Sequence, residues 1–220
     1  MLTSTSTAVQ DYLKGLYLLG EATPGAAVST TAIAAHVGVS PAAATAMLKK
    51  LDQMGLVEHS PYRGVTLTDA GLRVALEVLR HHRLLETYLV EALGYKWDEV
   101  HDEAEVLEHV LSEELEERIA ARLGHPTADP HGHPIPSKEL TSPPAPTRRL
   151  WDVSEGERVA VERVSDTDPE VLRYLASIGV TPGALTTVTR RGPVGGPLFV
   201  DLEGTECALS KDLAEAVWVA

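Results

Sequence analysis

The residues with chemistry to offer crowd into 28 positions: His82, Glu86, His101, Glu105, Glu108 and His109. Imidazole nitrogens and carboxylate oxygens are the donors that divalent first-row metal ions take. Helical neighbours three or four positions apart share a face. On a helix, Glu105, Glu108 and His109 therefore converge, with His101 one turn before Glu105. Glu113, Glu114, Glu116 and Glu117 read as a solvated acidic face. That explanation does not cover histidines one and two turns apart on a single stripe, so the ladder reads as a metal site. His36, His59 and His125 stand alone and read as ordinary core or surface residues.

The elements that must carry this ladder can be followed along the chain. Apolar residues at helical spacing run from Ser6 to Leu19, and Pro24-Gly25 marks a turn. A short helix over Thr30–Val37 closes at Gly38, which can supply the positive φ of a helix end. Ser40-Pro41 opens the next helix with a capping hydroxyl and a proline at the first position; it runs to Met54 and stops at Gly55. Short β-prone runs at Leu56–Glu58 and Val65–Leu67 flank His59–Gly64, a hairpin with a basic tip. Helix, tight turn, capped helix and hairpin make a winged helix-turn-helix. Ser40, Pro41, Ala42, Ala43, Ala44 and Thr45 would then approach base edges, where small hydroxyl and methyl surfaces suit thymine methyls. Lys49, Lys50 and Arg63 would hold phosphates.

A long helix follows from Thr68-Asp69 to Leu89, then helices over Trp97–Val110 and Glu113–Leu123. Seven of the fourteen prolines fall within 124–150, which reads as a linker or extended arm. Beyond it, β-prone runs at Arg158–Val164, Leu185–Arg190, Leu198–Leu202 and Val217–Val219, with a helix over Pro169–Ile178, read as a small β-barrel. The fold class expected is mainly α with α+β. Its domains are a DNA-binding winged helix over 1–70, a helical metal-binding and dimerisation domain over 71–140, and the barrel over 141–220.

The net charge of −13 argues at first against nucleic acid. Split by segment it is −1 over 1–70, −7 over 71–124 and −5 over 125–220, so the acid gathers at the ladder, where a cation would offset it. The single Cys207 excludes an internal disulfide and a thiolate cluster. No apolar stretch reaches spanning length, and the start MLTSTSTAVQ has neither a basic n-region nor an apolar h-region. A cytoplasmic protein without a membrane partner is expected. No His-Glu-x-x-His, activated Ser or Cys, or Gly-rich phosphate loop is present, so no enzyme activity is expected.

The segments Leu79-Arg80-His81-His82-Arg83-Leu84-Leu85-Glu86 and Val100-His101-Asp102-Glu103-Ala104-Glu105-Val106-Leu107-Glu108-His109-Val110 resemble the two metal motifs of the diphtheria-toxin-repressor family of metalloregulators. Asp11-Tyr12-Leu13, the winged helix, Pro130-His131-Gly132-His133-Pro134-Ile135-Pro136 and the terminal barrel, SH3-like and FeoA-like in that family, also fit. The resemblance implies a primary metal site of Asp11, Glu105, Glu108 and His109. It implies an ancillary site of His82, Glu86 and His101, completed from the barrel, where Asp168 or Glu170 is the candidate ligand. Carboxylates at positions 11 and 105, where the iron-responsive branch has sulfur, are harder ligands. They point to Mn(II), with Fe(II) the alternative and other divalent transition metals binding in vitro. Lys14 stands where the manganese branch has a carboxylate serving paired metals; a protonated lysine is no ligand, so the separated two-site layout is expected.

The function this implies is a metal-dependent repressor, a homodimer on double-stranded DNA with inverted repeats, controlling metal homeostasis genes. Two alternatives remain at this stage. One is a winged-helix repressor that senses an organic ligand. The other is a metal-dependent hydrolase, since such donors with an open position can activate water.

Overall fold

Burial of helix stripes and one sheet organises the chain into two units, seen in a computed structural model that describes residues 5–21, 26–60, 63–144 and 146–220. The turn expected at Pro24-Gly25 and the Pro61-Tyr62 tip of the hairpin lie outside the described residues. The first unit comprises 1–82, 105–117 and 136–143; the second comprises 83–104, 118–135 and 144–220.

In the first unit, α1 (Thr7–Glu21), α2 (Thr30–His36) and α3 (Pro41–Gln53) precede a hairpin of β1 (Val57–Ser60) and β2 (Gly64–Leu67). Ser29 and Ser40 each cap a helix by accepting from an amide three residues on, Ala32 at 3.1 Å and Ala43 at 3.2 Å. This satisfies donors that helix starts leave open. α3 turns 106° from α2, within the range of a helix-turn-helix. Leu13, Ile33, Leu48, Leu51 and Val65 are fully buried in the shared core.

The 25-residue α4 (Asp69–Leu93) follows, four residues longer at its end than the sequence pattern indicated. Next come α5 (His101–Leu107) and α6 (Glu113–Arg122). α5 is shorter than the expected Trp97–Val110. In the second unit Trp97 packs against the barrel core and stacks on His131, ring centroids 5.6 Å apart, and Lys96–Glu99 closes as a turn. In the first unit His81 Nδ1 donates to the Glu108 carbonyl at 3.0 Å, so that oxygen is not left to a further helical turn. Glu108 and His109 thus sit in a turn after α5, not on it.

The barrel of the second unit is a five-stranded antiparallel sheet ordered β6-β5-β4-β3-β7. Its strands are β3 (Arg158–Val164), β4 (Leu185–Arg191), β5 (Leu198–Leu202), β6 (Thr205–Leu209) and β7 (Val217–Val219), with α7 (Pro169–Ser177) and α8 (Lys211–Glu215) between them. β6 and α8 were not anticipated; β6 forms a hairpin with β5 in the register Leu198↔Leu209 to Leu202↔Thr205. Inward alternation of Val159, Val161 and Val164 with Val188, Leu198 and Val200 fills the interior. The proline-rich segment is more than a linker. Around Asp129–Pro134 it folds into a tight loop closed by Asp129 N→His133 O at 3.0 Å and Gly132 N→Asp129 O at 3.0 Å.

Candidate metal centres and nucleic-acid interface

The first centre is built from α1 and the turn after α5. The Asp11 carboxylate lies 3.0 Å from His109 Nε2. His109 Nδ1 is held at 2.6 Å by the Oε1 of Gln10, a residue that is itself buried. An amide oxygen only accepts, so it fixes the proton on Nδ1 and turns the Nε2 lone pair toward Asp11, the orientation a metal-ligating imidazole needs. Glu108 is fully buried and belongs to two donor groups, Asp11–Glu108–His109 and His82–Glu105–Glu108, each converging within 4.8 Å. Its Oε2 accepts from His82 Nδ1 at 2.5 Å. Lys14 Nζ donates to Glu105 Oε1 at 2.6 Å and to both Glu108 oxygens at 2.7 and 2.9 Å.

Charge explains the titration of these groups. Burial alone would lower the Lys14 ammonium, but Glu108 and Glu105 outweigh it and hold it above its ordinary value. Asp11 is raised by burial and by the neighbouring carboxylates, against the opposing pull of His109 and Lys14. Carboxylates and imidazoles gathered out of water suit a hard-to-borderline divalent ion. The donors present therefore fit a metal.

A second cluster lies wholly in the second unit. Glu86, fully buried on α4, faces His101 Nδ1 at 3.4 Å and His131 Nδ1 at 3.7 Å. His133 Nδ1 lies 3.3 Å from Asp129 and 3.8 Å from Asp166. The donor groups here are Asp129–His131–His133 and Glu86–His131–Asp166. His131 Nε2 donates to the Trp97 carbonyl at 2.7 Å, which leaves Nδ1 toward Glu86. That separation is too long for a hydrogen bond, so their attraction is coulombic. Burial pushes the His131 imidazolium down, but Glu86 and Asp129 outweigh it and raise it to about 9. Asp166 is held below the ordinary carboxylate range despite its burial, chiefly by His133 and His131.

Among the sequence-expected ligands, His82 and Glu86 stand one turn apart on α4, and His82, Glu86 and His101 remain a donor group as expected. Asp11, Glu105, Glu108 and His109 come together in the first unit, and His82 joins them there through Glu108. Glu86 and His101 meet in the second. Asp168 and Glu170 are put to other work: Asp168 caps α7 by accepting from the Glu170 amide at 2.8 Å, and Glu170 is an exposed residue of the first turn. Asp166, two residues earlier, faces the cluster instead. Glu116, expected on a solvated face, is half-buried and pairs with Arg80 at 2.5 Å and His81 at 3.1 Å. Sequence reasoning missed Gln10 and the loop histidines. The alternation Asp129-Pro130-His131-Gly132-His133-Pro134 was a legible signal for the latter, since prolines fix φ on either side and hold two imidazoles in one turn. Gly132 makes that loop possible: its φ is +88°, and a Cβ there would fall 2.0 Å from the Glu162 carbonyl oxygen.

At the other end of the first unit, Ser40, Pro41, Ala42 and Ala43 are exposed at the start of α3, as are Lys49 and Lys50 further along. Thr45 is half-buried and spends its hydroxyl on the Pro41 carbonyl at 2.8 Å. Arg63 is exposed beside the hairpin tip.

Residues 4–65 match the family profile described as "Iron dependent repressor, N-terminal DNA binding domain". Residues 68–137 match "Iron dependent repressor, metal binding and dimerisation domain", and 148–220 match the "FeoA domain". The chain is 34% identical to the iron-dependent repressor IdeR of Mycobacterium tuberculosis over 94% of each chain. It is 31% identical to the diphtheria toxin repressor of Corynebacterium efficiens over 94% of this chain and 93% of that one. Among solved structures, a manganese-dependent transcriptional repressor in complex with manganese superposes with a TM-score of 0.89 at 45% identity, covering 96% of this chain and 99% of that one.

Proposed function

This chain belongs to the diphtheria-toxin-repressor family of metal-dependent transcriptional repressors, and from that premise we propose that it senses Mn(II), with Fe(II) the second choice. The switch centre is Asp11, Glu105, Glu108 and His109, with His82 beside them. An accessory centre is formed by Glu86 and His101 with His131, His133 and Asp166. The oxygen and nitrogen donor set supports manganese, since among the described residues these groups contain no cysteine thiolate to favour a softer ion.

The observation that carries the reading is the double duty of α1. Its Asp11 reaches His109, and one turn later Gly15 packs so closely on α2 that a Cβ would lie 2.5 Å from the His36 ring and 3.0 Å from Ile33. An ion bound by Asp11, Glu108 and His109 ties α1 to the turn after α5 and relieves repulsion among carboxylates. Through Gly15 it sets where the helix-turn-helix stands. In a homodimer that biases the spacing of two recognition helices toward one operator geometry. Exposed Val106, Val110 and Leu115 supply apolar surface for the dimer.

The start of α3 then reads base edges through Ser40, Pro41, Ala42, Ala43 and Thr45 in an inverted-repeat operator, while Lys49, Lys50 and Arg63 hold phosphates. The outcome is repression of metal homeostasis genes in the cytoplasm, with no catalysis. Among the described residues no single helix is long and apolar enough to cross a membrane, which accords with that location. An anaerobic mobility-shift titration with Mn(II) and Fe(II) tests the proposal. Asp11→Ala and Glu105→Ala are expected to abolish metal-dependent binding. A shift that responds to metal in both variants, or a chain that takes up no metal by calorimetry, would overturn it in favour of an organic-ligand sensor.

A further inference from the structure

The proline-held loop of the second unit is organised by one side chain. Asp129 is buried, 6% exposed, and its Oδ1 accepts from the amides of His131 at 2.8 Å and His133 at 2.9 Å. Its backbone closes the same loop, its amide donating to the His133 carbonyl and its carbonyl accepting from Gly132. The loop is seated on β3, where the Val164 amide donates to the His131 carbonyl at 2.9 Å. With the backbone so held, Asp129, His131 and His133 offer donor atoms within 4.8 Å of one another. Nδ1 of His131 and Nδ1 of His133 are buried, and among the described residues neither has a hydrogen-bond partner. Buried polar atoms are nearly always paired, so two such nitrogens in one loop mark atoms kept for another partner.

We propose that Asp129 is a positioning residue of the accessory centre. Through Oδ1 it clamps the two amides and so presents the His131 and His133 imidazoles to a divalent ion in a shape set before the ion arrives. The inference rests on the reading of Glu86, His101, His131, His133 and Asp166 as a metal centre. The prolines at 130 and 134 fix only their own φ, and between them lies Gly132, the most permissive residue the backbone can hold. The side chain of Asp129 supplies the restraint that this stretch lacks. Without it the two amides lose their acceptor, and the chain must turn to find another. The imidazoles turn with the backbone that carries them, and the ordering of the loop becomes a cost of binding the ion.

The experiment titrates Mn(II) into the full-length wild type, Asp129→Ala, Asp129→Asn and His133→Ala, reading the fluorescence of Trp97. That ring stacks on His131, close enough for a paramagnetic ion at the centre to quench it, and the part of the response lost in Trp97→Phe is the signal followed. Asp129→Ala is expected to weaken the Mn(II) affinity of this response about 10–100-fold. Asp129→Asn, which keeps an acceptor for both amides, is expected to recover most of that loss. Hydrogen exchange with chelator present is the second measurement. The His131 and His133 amides are expected to be protected in wild type and Asp129→Asn, and open in Asp129→Ala. An Asn variant as weak as the Ala variant overturns the proposal in favour of Asp129 as a direct ligand. So does fast exchange of both amides in metal-free wild type, a result that stands even if Asp129→Ala fails to fold. If His133→Ala titrates like wild type, the accessory centre itself falls and the role of Asp129 with it. If His133→Ala loses the response while Asp129→Ala keeps wild-type affinity, only the role of Asp129 falls.

Discussion

Glu108→Gln is the most informative single change in the first unit, because one fully buried carboxylate answers both the Lys14 ammonium and the His82 imidazole. Lys14 lies 2.7 and 2.9 Å from its oxygens and His82 lies 2.5 Å away. The amide keeps the shape and one acceptor but removes the charge. Lys14 is left with Glu105, whose side chain is 39% exposed, and a pair so wet is worth less than about 1 kcal/mol. Breaking a buried pair from one side costs about 3–5 kcal/mol. That is a large part of the roughly 5–15 kcal/mol that holds a domain folded. For a unit of this size it corresponds to a fall in melting temperature on the order of 15–30 °C in metal-free protein. Removing both charges in Glu108→Gln/Lys14→Met should recover about 2 kcal/mol or more, since no uncompensated ammonium remains. Mn(II) adds a second arm: saturation near 100 times the dissociation constant stabilises wild type by about 2.7 kcal/mol, and Glu108→Gln should gain little. The assay is urea or thermal denaturation of wild type, Glu108→Gln, Lys14→Met and the double variant, with chelator and with Mn(II). A metal-free Glu108→Gln within about 0.5 kcal/mol of wild type, or a double variant no more stable than additivity allows, would show that Glu108 and Lys14 are not a buried, energetically coupled pair.

Three further outcomes follow from the same geometry. Gly15→Ala should force α2 away from α1; overpacking of this kind costs about 1–3 kcal/mol, so metal-dependent DNA binding should weaken while Mn(II) uptake persists, and a variant with unchanged operator affinity would detach α1 from the switch. Arg63→Ala should weaken binding to all sequences about equally and flatten the salt dependence of a mobility-shift titration by roughly one phosphate contact; an unchanged slope removes Arg63 from the interface. Because His131 is raised from 6.5 to about 9 in the fold, its contribution is fully present below pH 6.5 and is lost as pH rises through 9. Metal-free protein should therefore lose up to about 3 kcal/mol across that window. Urea midpoints that stay level from pH 6.5 to 9, or that fall equally in His131→Gln, would contradict the assignment.

Local signals carried the α-helical half of this chain because its helix ends are settled by neighbours in sequence. Ser40-Pro41 caps and starts α3 whatever the rest of the chain does, and the apolar stripe of α4 specifies a face before any partner is known. The donor types at 82, 86, 101, 105, 108, 109 and 11 were likewise legible, since metal chemistry needs those atoms and solubility does not. The resemblance those motifs carry is what led to the family.

Which donors meet was not legible, because it depends on where the chain returns in space. Glu105 and Glu108 looked like one helical face, yet α5 ends at Leu107. Only the fold brings His81 to the Glu108 carbonyl and Lys14 to its carboxylate, across 27 and 94 positions. The second cluster draws Glu86, His101, Asp129, His131, His133 and Asp166 from α4, α5, a proline-held loop and the segment after β3. No spacing rule reaches across such separations, and the choice of Asp166 over Asp168 turned on which carboxylate was needed to cap α7. Sequence thus determined the atoms available for metal and DNA. Tertiary structure decided their partners, because a buried charge is placed by whatever compensates it and that compensation is rarely local.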